Sequence, residues 1–323
     1  MRTDTMKLSI IIPVYYNEQN LKPLYADIKE KIIDVIDYDY EIVMVDDGSK
    51  DESYAVMQEL AAIDAHIRIY RLSRNFGSHA AILCGLDHCS GDCAVIKAAD
   101  LQEPTEMILQ MVKSWQEGNN VVLAVRKDRE ESRRQKQFAD LYYALVRKTA
   151  LQTMPAHGFD VYLIDRKVIE VLSRLDEKNS ALTGQILWSG FQTGYVEYTR
   201  KMREIGTSRW TLKKKIKLVM DTLFSFSILP VTLVEIVGAF SFLGAAIWAI
   251  FTLIAKLVGS IPVSGWTTLF IFNLFSFGIV MLTLGILGEY LWRTFDASRG
   301  RPPYIIEREG EEKRNTCTSG EKR

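Results

Sequence analysis

The chain has 323 residues, and its 40 Lys and Arg balance its 40 Asp and Glu, so the formal net charge is zero. This length suits one or two domains. Its four cysteines form no C-x-x-C pair, which disfavours a zinc site and suits a reducing compartment. Neither a G-x-G-x-x-G loop at the first predicted turn nor a Walker A loop is present, which disfavours a dinucleotide dehydrogenase and a P-loop NTPase.

Short apolar segments alternate with longer helical segments in the first half of the chain. The apolar segments predict strands at residues 8–14, 40–45, 67–72, 93–96 and 120–125. Alternation with helices of about ten residues or more predicts a mostly parallel sheet with right-handed crossovers. An amphipathic helix is predicted up to about Ile36, and Ser49 with Glu52 predicts a capping box for the helix after the second strand.

Each predicted strand ends in a polar cluster. The clusters are Tyr15 and Glu18, Asp46 and Asp47, Arg74 and Asn75, Asp100 and Gln102, and Arg126 and Arg129. Parallel strands bring their carboxyl ends to one edge, which is where open α/β sheets bind ligands. The convergence of five clusters on one cleft predicts a functional site, although no single cluster is specific.

The fourth cluster has the composition of a metal site. Asp100, Gln102 and Glu103 place three oxygen-bearing side chains between a buried strand and Pro104, where a turn and a new helix are expected. Such side chains hold hard cations such as Mg²⁺ or Mn²⁺. An ordinary acidic turn is the alternative interpretation.

Basic segments follow the predicted sheet. Residues 126–148 are rich in Arg and Lys, which predicts either an anion cradle or a solvated helix face. Residues 200–203 are basic as well, and residues 209–217 lead into an amphipathic helix. That helix is typical of an anionic membrane surface. Nucleic-acid binding is the competing interpretation, but the apolar sequence immediately downstream favours a membrane.

Two apolar segments are long enough to cross a bilayer. Residues 230–255 contain one charged residue, Glu235, and residues 266–287 contain none, while about 20 apolar residues span a membrane. Lysines and arginines flank the pair on both sides, so the positive-inside rule predicts a hairpin with both flanks in the cytoplasm. Glu289 and Arg293 have the i, i+4 spacing of an ion pair.

The chain is therefore predicted to be a multi-pass protein of the inner (plasma) membrane, with its catalytic domain and both termini in the cytoplasm. The predicted regions are an α/β domain over 1–208, basic juxtamembrane helices over 209–227, two transmembrane helices within 228–292 (about 230–255 and 266–289), and a polar tail over 293–323.

Six motifs carry a family resemblance. They are residues 11–18 (IIPVYYNE), 45–49 (VDDGS), 72–77 (LSRNFG), 100–104 (DLQEP), 125–129 (VRKDR) and 203–210 (REIGTSRW). Together with the helix pair, they resemble family 2 glycosyltransferases of the polyprenyl-phosphate type, which include dolichyl-phosphate mannose synthases and bactoprenol glucosyltransferases. The resemblance covers about residues 7–307 and implies a GT-A-like, Rossmann-like nucleotide-diphospho-sugar transferase domain with a C-terminal two-helix transmembrane hairpin.

The resemblance implies donor contacts to a nucleotide-diphosphate sugar carrying uracil or guanine. The residues lining the base and ribose would be Pro13, Tyr15, Glu18 and Asp47. Asp100 and Gln102 would contact Mg²⁺ or Mn²⁺ and the diphosphate. Arg203 would clamp the diphosphate, and Ser208 belongs to the same donor-binding motif.

The resemblance also implies an acceptor side. Arg126, helped by Arg129, would meet the phosphate of polyprenyl phosphate, and Asp160 would position the sugar or acceptor or act as a base. The implied reaction is inverting transfer of a hexose such as glucose for cell-envelope glycans, and hairpin-anchored relatives often form homo-oligomers.

Two residues depart from the family pattern. Ala98 stands where relatives usually have the first aspartate of Asp-Ala-Asp, and Tyr162 stands where they often have arginine, which would affect sugar preference or acceptor binding. Ala98 keeps open a non-catalytic scaffold or sugar-lipid binding protein. A processive polysaccharide synthase is a further alternative, but Ser208-Arg209-Trp210 retains only the last two residues of its Gln-x-x-Arg-Trp motif.

Overall fold

The computed structural model describes residues 6–127, 133–156, 158–175, 177, 180–200, 212–257 and 265–310. One sheet of eight strands organises them, in the order β7-β5-β6-β4-β1-β2-β3-β8. The strands are β1 (Lys7–Val14), β2 (Asp39–Asp46), β3 (Ile67–Leu72), β4 (Cys93–Ile96), β5 (Val121–Arg126), β6 (Val161–Asp165), β7 (Thr193–Tyr198) and β8 (Ile306–Glu309).

Strand direction brings the predicted polar clusters to one edge. Strands β1 to β4 are parallel. Strand β6 is antiparallel to both β4 and β5, so two reversals return β5 to the direction of β4, and β7 is parallel to β5. All five strands predicted from the sequence therefore end at the same edge, here called the site edge, and the expected mostly parallel sheet is confirmed.

Helices pack on both faces of the sheet, and three further helices follow them along the chain. The first group is α1 (Glu18–Ile28, continued by a π-helical turn over Lys29–Ile33), α2 (Ser53–Ile63), α3 (Ser78–His88), α4 (Met107–Gln116), α5 (Arg133–Thr149), α6 (Arg166–Arg174) and α7 (Leu182–Trp188), and the later helices are α8 (Leu212–Phe226), α9 (Leu229–Leu257) and α10 (Trp266–Ser298). Ile10 and Ile12 belong to one buried cluster and Ile11 to the other. A strand buried on both faces has to be apolar throughout, which is why β1 lacks an alternating pattern.

The capping box predicted from Ser49 and Glu52 was wrong. Helix α2 begins at Ser53 and has no side-chain cap. Instead, Ser49 Oγ accepts a hydrogen bond from Tyr16 N at 3.0 Å, and Glu52 N donates to Glu18 Oε2 at 2.9 Å. Contacts between the loops that follow β1 and β2 therefore use the groups that a local cap would have used.

Helices α9 and α10 each contain a segment long and apolar enough to cross a membrane. The segments are Leu229–Thr252 and Leu269–Ser298. The second helix continues past its predicted end near residue 289. Arg293 makes the predicted pair with Glu289 at 2.8 Å and also bonds Asp221 of α8 at 2.9 Å, which ties the end of α10 to the juxtamembrane helix.

The segment after α10 returns to the sheet as β8, a strand that the sequence analysis did not predict. It lies antiparallel to β3, with Leu72 opposite Ile306. Tyr304 Oη donates to Asp87 Oδ2 at 2.7 Å, just before β8. On the other side of the helix pair, Tyr142 Oη donates to Thr222 Oγ1 of α8 at 3.1 Å. Both ends of the helix pair therefore contact the α/β domain.

Gly48 brings the loops after β2 and β3 together. Its φ is +68°, and a Cβ at this position would lie 2.6 Å from the backbone carbonyl carbon of Arg74. Gly118 also has a positive φ, of +109°, but a Cβ there would meet nothing within 4 Å. Adding a side chain would strain the backbone at both glycines, but it would cause steric overlap only at Gly48.

We expect Gly48→Ala to lower the melting temperature more than Gly118→Ala does. Both changes carry backbone strain of about 1–3 kcal/mol, and Gly48→Ala adds about 1–3 kcal/mol of overlap against backbone that cannot move aside. Thermal unfolding of the purified full chain in detergent measures the difference. A Gly118 variant that melts at or below the Gly48 variant would contradict the packing described for these loops.

Candidate active site

The Asp100 loop, residues 97–106, joins β4 to α4 at the site edge. Its chain direction changes at Leu101, whose φ of +59° is uncommon for a residue with a side chain. Gln102 N donates to Asp100 Oδ1 at 3.2 Å, closing a turn within the loop. The predicted sequence of buried strand, turn and new helix is therefore confirmed.

Arg200 reaches this loop from the chain that follows β7. Its Nη2 donates to Gln102 Oε1 at 2.6 Å and lies 3.8 Å from both Asp100 Oδ2 and Glu103 Oε1. Residues 200–203 are recognisably basic in the sequence, but a role for Arg200 was not predicted, because β7 was not predicted. The alternating segment 193–198 directly before it was the available signal.

Glu103 points into the protein interior. Fully buried Lys97 donates from Nζ to the Glu103 backbone oxygen at 2.5 Å and lies 3.9 Å from its Oε2. Burial raises the pKa of Glu103, and Asp100 raises it further, while Lys97 and Arg200 act in the opposite direction. The Glu103 carboxylate thus lies between two cations, and only Asp100 and Gln102 remain as predicted metal-site side chains on the cleft side of the loop.

The side chains of the Asp100 loop fit a divalent ion whose remaining coordination positions are filled by a substrate. Asp100 contributes one carboxylate, and Gln102 contributes an amide oxygen that already accepts a hydrogen bond from Arg200. Within the described part of the chain, no three His, Cys, Asp or Glu side chains are grouped to hold a metal ion. Mg²⁺ commonly takes one or two carboxylates and fills its remaining positions with phosphate and water. Asp100 is the residue that would hold such an ion.

Asp47 links two loops of the site edge. It is buried, and its carboxylate accepts hydrogen bonds from Phe76 N at 2.7 Å and Gly77 N at 3.0 Å. Burial nevertheless raises the pKa of Asp47 to about 6, because desolvation outweighs these two bonds. Asp47 therefore holds the loop after β3 in place at the site edge.

The remaining predicted donor-site residues lie at or just beyond the end of β1. Pro13, Tyr15 and Glu18 are half-buried there. Tyr15 N donates to Asn17 Oδ1 at 3.1 Å, and the Tyr15 and Tyr16 rings meet edge to face with their centroids 4.7 Å apart. Glu18 Oε2 also accepts the Glu52 N–H from the loop after β2, and the ends of β1 and β2 are paired, so the predicted base and ribose residues lie at one end of the site edge.

Arg126 and Asp160 form an ion pair at the other end. Arg126 is the last residue of β5 and Asp160 directly precedes β6, so the two meet where antiparallel strands turn at the site edge. Arg126 Nε also donates to Tyr198 Oη at 3.2 Å. The sequence analysis predicted both charged residues but gave them separate roles; in the structure they are direct partners.

Tyr162 does not line the cleft. Its side chain is buried, and its ring contacts Phe159 edge to face with the centroids 5.9 Å apart. This residue of β6 points into the core, and its effect on sugar preference or acceptor binding stays a prediction. Three other predicted residues, Arg129, Arg203 and Ser208, lie outside the described residues.

Comparison with known proteins identifies the family. Residues 9–173, just over half of the chain, match the model described as glycosyl transferase family 2. Glycosyltransferase YkcC of Bacillus subtilis, described as uncharacterized, is 38% identical over 304 residues, covering 94% of each chain. The bactoprenol glucosyl transferase of Shigella phage SfV is 34% identical and covers 94% of this chain and 99% of its own.

A solved structure was also matched. Mannosyltransferase PcManGT from Pyrobaculum calidifontis, in complex with GDP-Man and Mn²⁺, is 17% identical over 88% of each chain, with a TM-score of 0.46. The family assignment depends on the sequence matches, which extend from the sheet through the apolar helices. The chain belongs to glycosyltransferase family 2 and is a glycosyltransferase with a GT-A-like, mostly parallel sheet.

Proposed function

We propose that the chain transfers a hexose such as glucose from a nucleotide-diphosphate sugar to polyprenyl phosphate, supplying a lipid-linked sugar for cell-envelope glycans. The observation that carries this proposal is the placement of Arg200 with Asp100, and of Arg126 with Asp160, at one sheet edge of a chain that also has two membrane-length helices. The bactoprenol glucosyl transferase relative supports a lipid-linked acceptor.

The chemistry requires cations more than a strong base. The second pKa of a phosphate monoester is about 6, so the acceptor oxygen is already anionic near neutral pH. This oxygen bonds to the anomeric carbon as the bond to the diphosphate oxygen breaks, and in-line attack inverts the configuration. Bringing two anions together and stabilising the departing diphosphate then depend on fixed positive charge.

The described residues divide these tasks. Arg200 faces the diphosphate and Arg126 the acceptor phosphate, while Asp160 positions the sugar or acceptor. Asp100, with Gln102, would hold Mg²⁺ or Mn²⁺, and a bound ion supplies further positive charge to the diphosphate. The proposed base and ribose contacts are those of Pro13, Tyr15, Glu18 and Asp47. Arg129, Arg203 and Ser208 remain predictions.

The membrane segment carries the site to its acceptor. Removing a long-chain lipid from the bilayer costs about 0.8 kcal/mol per CH₂, so the enzyme has to work at the membrane surface. The four lysines within residues 213–217, at the start of α8, would add about 1 kcal/mol each near anionic headgroups. We propose that the α/β domain and both termini lie in the cytoplasm, and homo-oligomer formation remains a further expectation.

A non-catalytic scaffold or sugar-lipid binding protein is the second candidate. Ala98 favours it, because the Asp100 loop has one cleft-facing carboxylate where relatives usually have a further aspartate. The two candidates differ in turnover.

We expect release of nucleoside diphosphate that requires both a sugar nucleotide and polyprenyl phosphate. The assay presents a panel of UDP- and GDP-linked sugars to the full chain in polyprenyl-phosphate vesicles with Mg²⁺ or Mn²⁺. Radiolabelled sugar should move into the lipid fraction with the accepted donor. Binding of a donor without release or transfer across the panel would favour the scaffold.

Asp100→Asn should lower kcat/KM for transfer by roughly 100-fold, the usual effect of removing one charge-stabilising group from an active site. The matched control is Asp39→Asn, since Asp39 is exposed at the opposite end of β2. Its kcat/KM should stay within about twofold of the wild type, as expected for an exposed ion pair. Full transfer by the Asp100 variant would show that the metal assignment is wrong.

Cys317 offers a native test of topology. It lies in the C-terminal tail beyond α10, whereas Cys84, Cys89 and Cys93 are buried. A membrane-impermeant maleimide should therefore label the folded protein in inside-out vesicles and leave it unlabelled in intact spheroplasts. Cys317→Ser should abolish the signal, and labelling in spheroplasts would contradict a cytoplasmic terminus.

A further inference from the structure

Lys97 is a charged side chain that the proposed chemistry does not use. It is fully buried, directly ahead of Ala98 and the Asp100 loop. Lysine is almost never fully buried unless its charge is compensated, because desolvating an ammonium group is costly. Its closest described partner is Glu103, through the backbone oxygen at 2.5 Å and Oε2 at 3.9 Å.

Charges of alternating sign connect Lys97 to the cleft. The buried Glu103 carboxylate lies 3.9 Å from Lys97 Nζ through one oxygen and 3.8 Å from Arg200 Nη2 through the other. Arg200 Nη2 in turn donates to Gln102 and lies 3.8 Å from Asp100. The row therefore runs from the protein interior to the loop proposed to hold the donor diphosphate.

Arg200 has unused hydrogen-bonding capacity. All three contacts described above involve Nη2, and among the described residues its Nε is buried without a hydrogen-bond partner. A buried N–H left unpaired costs about 1–3 kcal/mol. The guanidinium is a planar fork that matches phosphate oxygens. A phosphate oxygen of the donor would satisfy this orphaned group.

Lys97 also limits how strongly Glu103 attracts Arg200. With Lys97 absent, the buried Glu103 carboxylate would have Arg200 as its nearest described cation and would draw the guanidinium inward. With Lys97 present, the negative charge of the Glu103 carboxylate interacts with two cations, Lys97 and Arg200. Arg200 can then stay hydrogen-bonded to Gln102 at the cleft side of the loop.

We propose that Lys97 and Glu103 are positioning residues that hold Arg200 at the donor diphosphate. The inference rests on the proposed function, in which the diphosphate occupies the cleft at Asp100. Ala98 supplies no carboxylate for a metal ion. Arg200 provides a positive charge at the diphosphate that is held by protein contacts and does not depend on a bound metal ion. Lys97 and Glu103 act through Arg200 and do not touch the substrate.

The test compares Lys97→Met, Glu103→Gln and the double variant of the full chain. Lys97→Met leaves a buried carboxylate with less compensation, so its melting temperature should fall. The double variant removes both charges and should regain most of that loss, but Arg200 then lacks its buried carboxylate partner and keeps only Asp100, at 3.8 Å. Its KM for the sugar nucleotide should rise at least about fivefold, with the KM for polyprenyl phosphate unchanged.

Binding provides a readout independent of transfer. Titration calorimetry with UDP and with GDP, with and without Mn²⁺, should give a weaker Kd for the double variant by the same factor. Arg200→Lys keeps the positive charge but loses the planar guanidinium, and it should weaken nucleotide binding at least as much as the double variant does. The matched control is Lys22→Met, because Lys22 pairs with Glu59 at 2.6 Å on the exposed surface and has no described contact with Arg200 or the Asp100 loop. It should leave the Kd and donor KM unchanged.

A stable double variant with wild-type donor KM and nucleotide Kd would overturn the inference and leave Lys97 and Glu103 with a purely structural role. If Lys97→Met does not fold, the double variant and Arg200→Lys still decide the question. Failure of the proposed function would look different: the wild type would bind nucleotide without transferring sugar, and the Kd comparison would still apply.

Discussion

The register between β5 and β7 sets the distance between the two cations on which the proposed chemistry depends. Arg126 is paired with Tyr198 in that register, so Arg200 follows only two residues beyond the partner of Arg126. A donor diphosphate and an acceptor phosphate repel each other. In the proposed reaction, guanidinium groups at the ends of adjacent parallel strands would place positive charge beside both anions without any movement of the sheet. Asp160 and Asp100 in turn hold these two arginines.

The same sheet connects the site to the membrane segment. Arg293 near the end of α10 bonds Asp221 of α8, and the chain then joins the far edge of the sheet as β8. There, Arg71 of β3 lies 3.7 Å from Glu307 and 3.3 Å from Asp46, one residue before Asp47. The chain thus leaves the α/β domain through the apolar helices and returns to it, which restricts how far the cleft can move relative to those helices.

Much of this arrangement could be predicted from sequence, because it follows from local pattern. The first five strands, the Asp100 loop, both apolar helices and the Glu289–Arg293 pair depend on apolar runs, turn residues and helical spacing. Strand β8 could not be predicted, because its polar segment Ile306–Glu309 becomes a strand only when the edge of β3 is available. The inward orientation of Glu103 was also missed, since sequence spacing does not reveal which carboxylate a buried Lys97 attracts. The prediction of a Ser49 cap was wrong for a related reason, because the backbone N–H of Tyr16, distant in sequence, donates to the Ser49 hydroxyl.

In the proposed reaction, fixed cations at the site edge receive the donor diphosphate. A crystal structure of the full chain with Mn²⁺ and the nucleoside diphosphate of the accepted donor would locate that group. We expect diphosphate oxygens about 3 Å from the Arg200 guanidinium, beside Asp100 and within the cleft that Arg126 borders. A diphosphate bound away from this edge, with Arg200 turned toward Glu103 and making no phosphate contact, would show that Arg200 has another role.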